Sequence, residues 1–228
     1  MEFLLLLVAG ITWFALHAGV AGTGLRFWLL ERFGEKAYRG GFSLASLVAL
    51  LALIYAYRGA PYQLLALPPL ALYYVPITLI PLALVFLVGA FMVPSPTSVG
   101  GEKHLADAEP ARGLLRVTRH PFLWAVVVWS AAHLLVNWDV GSLVFFSSLG
   151  LTALRGTFDI DRKRRRTHPD GFERFAAVTS NVPFAAIAGR RNRLVLREVW
   201  LPLLLGLALA IGAVALHPRF FGAPAVPG

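Results

Sequence analysis

Residues 121–154 read "PFLWAVVVWSAAHLLVNWDVGSLVFFSSLGLTAL", and the only formally charged side chain among them is Asp139. A helix crosses the hydrocarbon core of a bilayer in about 20 apolar residues, so this stretch is too long for one crossing and has the length of two short ones. The break falls at Trp138 and Asp139, which leaves spans at Pro121 to Asn137 and Val140 to Leu154 joined as a tight antiparallel hairpin. That hairpin makes the chain a polytopic membrane protein.

Outward from it the same pattern recurs. Further spans are expected at Phe3 to Gly22, Phe42 to Tyr57, Leu70 to Val93 and Val199 to Leu216, giving an all-α bundle of about six transmembrane helices in a single domain, residues 1–228. The third contains Pro76 and Pro81, which predict a bend. Glu2 stands where a secretory signal carries basic residues, so the first span reads as a retained helix. The composition agrees: 57% of residues are hydrophobic and 14% charged.

Charge then orients the bundle. Arg26, Arg32, Lys36 and Arg39 fall between the first two spans; Lys103, Arg112, Arg116 and Arg119 between the third and fourth; and the run "RKRRR" at 162–166 opens the longest connection. Of the 21 Lys and Arg residues only Arg58 and Arg219 fall on the other side. The positive-inside rule therefore predicts both termini outside and the basic connections in the cytoplasm of an inner membrane or its equivalent. A net charge of +9 is explained by topogenesis and contact with anionic lipid, without nucleic acid as a partner. Within the long connection, "PDGFERFAAVTS" puts Phe172, Phe175 and Ala176 on one side at helical spacing, as in an amphipathic segment lying on the membrane surface. The arginine run reads as a lipid-facing, orienting surface.

The absence of cysteine excludes disulfides, thiolate-bound metal and covalent haem attachment. No phosphate-binding loop, dinucleotide fingerprint, zinc-protease helix or serine nucleophile elbow occurs. What remains is histidine. His17 in "WFALHAG" and His133 in "WSAAHLL" lie inside apolar spans, where an ionisable group is costly and imidazole is a good ligand for iron, copper or zinc. No carboxylate accompanies them, which disfavours a hard cation and suits a haem iron whose porphyrin supplies the remaining donors. Trp13 and Trp129 precede the two histidines by four residues and so share their helix faces. Small neighbours, Ala18 and Gly19 in one span and Ser130, Ala131 and Ala132 in the other, let helices close in or leave room for a flat cofactor. The alternative is that each imidazole bonds a carbonyl or a neighbour and only ties helices together. The two also differ in depth, by about 10 Å at 1.5 Å per residue, which makes His120, at the cytoplasmic mouth, a second candidate ligand. His120 belongs to "VTRHPFLW", where Pro121 suits the first position of a helix and Arg119 can hold an anion.

The motifs "VTRHP", "WSAAHLL", Asp161, "GFERFAAVTSNVPFAAIAGR" and "ALHPRFFG", in this order and preceded by "FALHAG" and "GEKAYRGGFSLASL", resemble the NnrU-domain superfamily and, within it, the plant and cyanobacterial 15-cis-zeta-carotene isomerases. The resemblance implies a membrane protein with non-covalent haem b, His17 and His133 matching the iron ligands and His120 the histidine of an RHP motif. It further implies an apolar polyene substrate, a cis–trans isomerisation without net redox change in which iron acts as a Lewis acid, and an electron donor to reduce the haem. Where the plant enzymes tend to carry a cysteine, this chain has Ser130. Bacterial NnrU proteins, associated with nitrogen-oxide metabolism, supply an alternative role, including haem or nitric-oxide sensing without turnover. Membrane methyltransferases that bind S-adenosylmethionine through an RHP motif supply another, with Arg119, His120, Pro121, Asp161 and Glu173 as its residues.

Overall fold

The computed structural model describes residues 1–21 and 23–225. Eight α-helices account for most of them: α1 Glu2–Ala15, α2 Leu25–Gly59, α3 Pro76–Met92, α4 Pro121–Leu134, α5 Val140–Thr167, α6 Pro169–Val178, α7 Ala185–Ala188 and α8 Leu196–Phe221. Among the described residues the only strand-like pairing is an isolated bridge between Leu64 and Asp139. Five of the helical segments are long and apolar enough to cross a membrane: Glu2–Val20, Leu25–Gly59, Leu70–Met92, Val140–Thr167 and Leu196–Phe221. The sixth expected span, α4, is helical for only 14 residues. Apolar side chains cover the outside of the molecule, Leu4, Leu47, Leu51, Leu204 and Ile211 all being exposed. That inversion of the soluble pattern is what a lipid solvent requires.

The six long helices pack in the order α2, α1, α5, α4, α3, α8, each touching its neighbours in that row. Glycine sets two of these approaches. A β-carbon on Gly206 of α8 would lie 2.6 Å from the Val85 backbone of α3, and one on Gly150 of α5 would lie 2.9 Å from Cβ of Ser130 on α4, so these helix pairs are closer than any larger residue allows. The row curls so that α2 and α3 both line one cavity, yet these two make no sustained packing contact with each other. Asp139 starts α5 as its N-cap, its carboxylate accepting from the Ser142 amide at 2.9 Å. The hairpin of α4 and α5 is as the sequence predicts, but α4 ends at Leu134, so its connection covers residues 135–139 rather than Trp138 and Asp139 alone.

Three expectations change. Arg26, Arg32, Lys36 and Arg39 do not form a loop: α2 begins at Leu25, and Gly34 breaks it at φ +78°, a backbone state open to glycine at little cost. The helix at 169–178 exists, but its apolar face does not lie on a membrane. Phe172 and Phe175 are fully buried against Leu105 and Ala111, because the 101–111 segment supplies an apolar partner that the sequence does not advertise. Nor is the run at 162–166 all orienting surface. Arg164 is buried; its guanidinium donates to the carbonyls of Pro96 at 2.9 Å and Ser98 at 2.7 Å and pairs with Glu102 at 2.8 Å.

A cavity flanked by histidine, and a buried RHP knot

His17 and His133 sit in matched local settings. Nδ1 of His17 lies 2.9 Å from the Trp13 carbonyl oxygen, and Nδ1 of His133 lies 2.8 Å from that of Trp129. A carbonyl can only accept, so Nδ1 carries the proton in each neutral ring. Nε2 is left as the lone pair, the arrangement a metal-binding imidazole needs. At His17 the α-helix widens into a π turn over Leu16–Ala21, a local irregularity often found at functional positions. Each histidine also lies against its tryptophan, with ring centroids 4.1 Å apart for Trp13–His17 and 4.7 Å for Trp129–His133.

The helices carrying the two motifs run antiparallel, and this decides their separation. Gly10 of α1 abuts Ser148, and Ser130 of α4 abuts Gly150, which sets Trp13 and Trp129 at the same depth. Four residues on, His17 has moved toward the basic end of the bundle and His133 toward the opposite end, so their Cα atoms differ in depth by about 12 Å. Side chains in a helix lean toward its N-terminus, so the two rings lean toward one another and recover part of that gap. They do not share one wall. A cavity of 710 Å³ opens beside α1, lined by His17, Trp13, Phe42, Trp129 and apolar residues of α3, α4 and α5. His133 does not line it and instead stacks on Phe146 at 4.5 Å.

The donor set limits what this cavity can hold. No group of three or more His, Asp or Glu side chains able to hold a bare metal ion occurs among the described residues, so a metal there must bring most of its own ligands. The indole Nε1 of Trp13, in the cavity wall, is buried without a hydrogen-bond partner, as is Oγ of Ser130. Unsatisfied buried donors of this kind are uncommon in finished protein interiors. An imidazole lone pair, a mostly apolar wall, and the cations Arg26, Arg39, Arg155 and Lys163 outnumbering Glu102 and Asp159 in the lining fit a flat apolar cofactor carrying its own metal and acidic substituents. Of the two histidines, His17 is the one that lines this cavity.

Arg119 and His120 lie elsewhere. Neither lines the cavity, and both are bound to Asp161: Arg119 reaches the carboxylate through Nε at 2.9 Å and Nη2 at 2.7 Å, and His120 Nε2 donates to Oδ1 at 2.8 Å. Around them Thr97 Oγ1 donates to the Arg119 carbonyl at 2.6 Å, the Arg119 amide to the Ser180 carbonyl at 2.9 Å, and Thr118 Oγ1 to the Asn181 carbonyl at 2.6 Å. The RHP motif therefore ties the start of α4 to the end of α5 and to residues 179–184. Arg119 spends its Nε–Nη2 fork on the Asp161 carboxylate, so that edge is not open to another anion. Asp161 is already among the residues that carry the resemblance; Thr157, Asp161 and Arg164 share a helix face, and all three are buried.

Burial is the largest influence on His120 and holds its pKa below the ordinary histidine value, outweighing the upward pull of Asp161; the neighbouring Arg119 charge pushes the same way as burial. It is therefore neutral at pH 7 and serves as an N–H donor. Unfolding releases it to its ordinary pKa of about 6.5, so the unfolded chain takes up a proton that the folded one refuses. Stability should be fully present above that value and fall as the pH drops below it. We expect the unfolding midpoint in detergent to fall between about pH 7.5 and about pH 5.5, and His120→Gln to flatten that slope. An identical slope in the variant would assign the loss to other groups.

Residues 5–225 match the family described as NnrU protein. The chain belongs to the NnrU family. This NnrU chain is also similar to the protein named 15-cis-zeta-carotene isomerase, chloroplastic, of Arabidopsis thaliana, at 39% identity over 119 residues, covering 49% of this chain and 31% of that protein. The protein of the same name from Zea mays is 35% identical over 112 residues, covering 46% of this chain and 30% of its own length. The chain thus aligns with less than a third of either relative. No solved structure matches it.

Proposed function

We propose that this protein is a haem b-dependent membrane isomerase that converts a cis double bond of an apolar polyene, such as 15-cis-zeta-carotene, to trans. The similarity to the two plant isomerases supports the reaction class. The observation that carries the cofactor is His17, with its Nε2 lone pair free in the wall of a 710 Å³ cavity.

In this reading His17 holds the iron and Trp13, Phe42 and Trp129 surround the porphyrin. His133, stacked on Phe146 outside the cavity wall, would be the second imidazole available to the iron. Bound haem supplies a Lewis-acidic iron that draws electron density from the double bond and lowers its order. The protein's own part is to keep the polyene in an apolar setting without water and to admit it from the side. In this reading the polyene enters between α2 and α3, which both line the cavity and make no sustained packing contact with each other, a route that suits a substrate that never leaves the bilayer. No atom is gained or lost and no electron is consumed, so the site needs no proton relay. The basic end would face the cytoplasm. The burial of Arg119 and His120 against Asp161 argues against a methyltransferase built on the same motif.

The test is to purify the protein in detergent from haem-replete cells and record its spectrum oxidised and dithionite-reduced. It is then placed in liposomes with 15-cis-zeta-carotene, and the isomers are separated by chromatography. A Soret band together with conversion to the all-trans central bond under reducing conditions is the expected result. Colourless protein, or haem-loaded reduced protein that leaves the cis isomer untouched, would sink the reading.

A further inference from the structure

At the basic end the cavity meets a smaller surface pocket of 370 Å³. Arg26, Lys163 and Glu102 line both, so they stand at the junction between the apolar interior and the outside. Four cations surround this junction, and their partners differ. Arg39 pairs with Glu35 at 2.6 Å and with Glu102 at 3.4 Å, and Arg164 pairs with Glu102 and two backbone carbonyls. Arg26 and Lys163 are half-buried, and among the described residues neither has a carboxylate within ion-pair distance. A partly buried cation without a partner is costly, and two together more so. Their positions are nonetheless set: the Arg26 guanidinium lies 5.6 Å from the Phe27 ring centroid and 5.7 Å from that of Tyr38, a contact that orients it, and Tyr38 is itself in the cavity wall.

We propose that Arg26 and Lys163 are a pair of carboxylate clamps, one for each propionate of the porphyrin that His17 ligates; this rests on the haem reading above. The depth is appropriate. His17 lies level with residue 155 of α5, and Lys163 is two turns further, about 12 Å nearer the basic end. Its side chain leans back toward the helix N-terminus and hence toward the cavity. The charges also match, two cations without a carboxylate in ion-pair distance for two carboxylates, while the two cations already neutralised by Glu35 and Glu102 stay with the protein. The clamps fix the ring's rotation about the His17–iron axis. That rotation decides which edge of the porphyrin faces the gap between α2 and α3.

The experiment compares ferric protohaem with its dimethyl ester, which keeps the ring and the iron and lacks both carboxylates. Each is titrated into haem-free protein in detergent and followed by the Soret band, for wild type, Arg26→Gln, Lys163→Met and the double variant. Wild type should prefer the free acid, each single variant should lose about tenfold of that preference, and the double variant should bind both alike. Unchanged affinity for the ester shows that the variants keep an intact cavity. Equal binding of acid and ester by wild type, or an undiminished preference in the double variant, overturns the clamp and leaves the haem reading standing. If wild type binds neither form, both fall together.

Discussion

Haem-free, colourless protein is the expected result of His17→Ala, with isomerisation falling to background. His17 is the histidine in the cavity wall, its proton is committed to the Trp13 carbonyl, and its free nitrogen sits where the helix has opened into a π turn. The sequence has no cysteine, and among the described residues no carboxylate cluster stands ready to replace it. Imidazole added at millimolar concentration should restore part of the Soret band in the smaller His17→Gly variant, because the vacated space admits a free ligand; a merely misfolded protein would not respond. The contrast is His133→Ala. Its ring is stacked on Phe146 outside the cavity wall, so we expect haem content to survive there with an altered spin state. If His17→Ala keeps its colour and activity while His133→Ala loses both, the ligand assignment is reversed.

Asp161→Ala should produce the largest loss of stability. The carboxylate accepts from Arg119 and from His120, and in the salt bridge both Arg119 and Asp161 side chains are only 11% exposed. Removing one member of such a pair strands the other charge in a poorly solvated site, a loss of about 3–5 kcal/mol. Unfolding by SDS in mixed micelles should show a sharply lower midpoint. The double change Arg119→Met with Asp161→Leu removes the stranded charge and should recover much of the loss, since a well-packed apolar pair is often as stable as the ion pair it replaces. A midpoint within experimental error of wild type in Asp161→Ala would mean that the cluster is solvated and its bonds count for little.

Much of this architecture was legible in the sequence, and the reasons are local. Helix positions follow from apolar runs, the α4–α5 turn from the polar residues at 137–139, and the depth mismatch of His17 and His133 from counting residues along helices of opposite direction. Other features have no local signature. Glu102 bridging Arg39 and Arg164, Glu198 pairing with Arg116 at 2.8 Å, and Phe172 burying itself against Leu105 and Ala111 join residues far apart in the chain, and composition alone cannot distinguish a cation held in such a pair from one facing lipid. The RHP motif illustrates the cost. The helix-start position and the resemblance offer Arg119 and His120 as a chemical site, whereas the bonds to Asp161 give them a structural task. Conversely Arg26 and Lys163 look like ordinary orienting charges until the cavity places both at its mouth.

An entry route between α2 and α3, which both line the cavity without sustained packing against each other, bears on how such a protein should be measured. A ligand that arrives through it is dissolved in the lipid and moves in two dimensions, so the quantity that saturates the protein is the number of ligand molecules per lipid, not per litre. Diluting the vesicles with buffer should leave the rate per protein unchanged. Diluting the bilayer with extra phospholipid should lower it, and apparent constants quoted in molar units will differ between preparations of different lipid content even though the protein is the same.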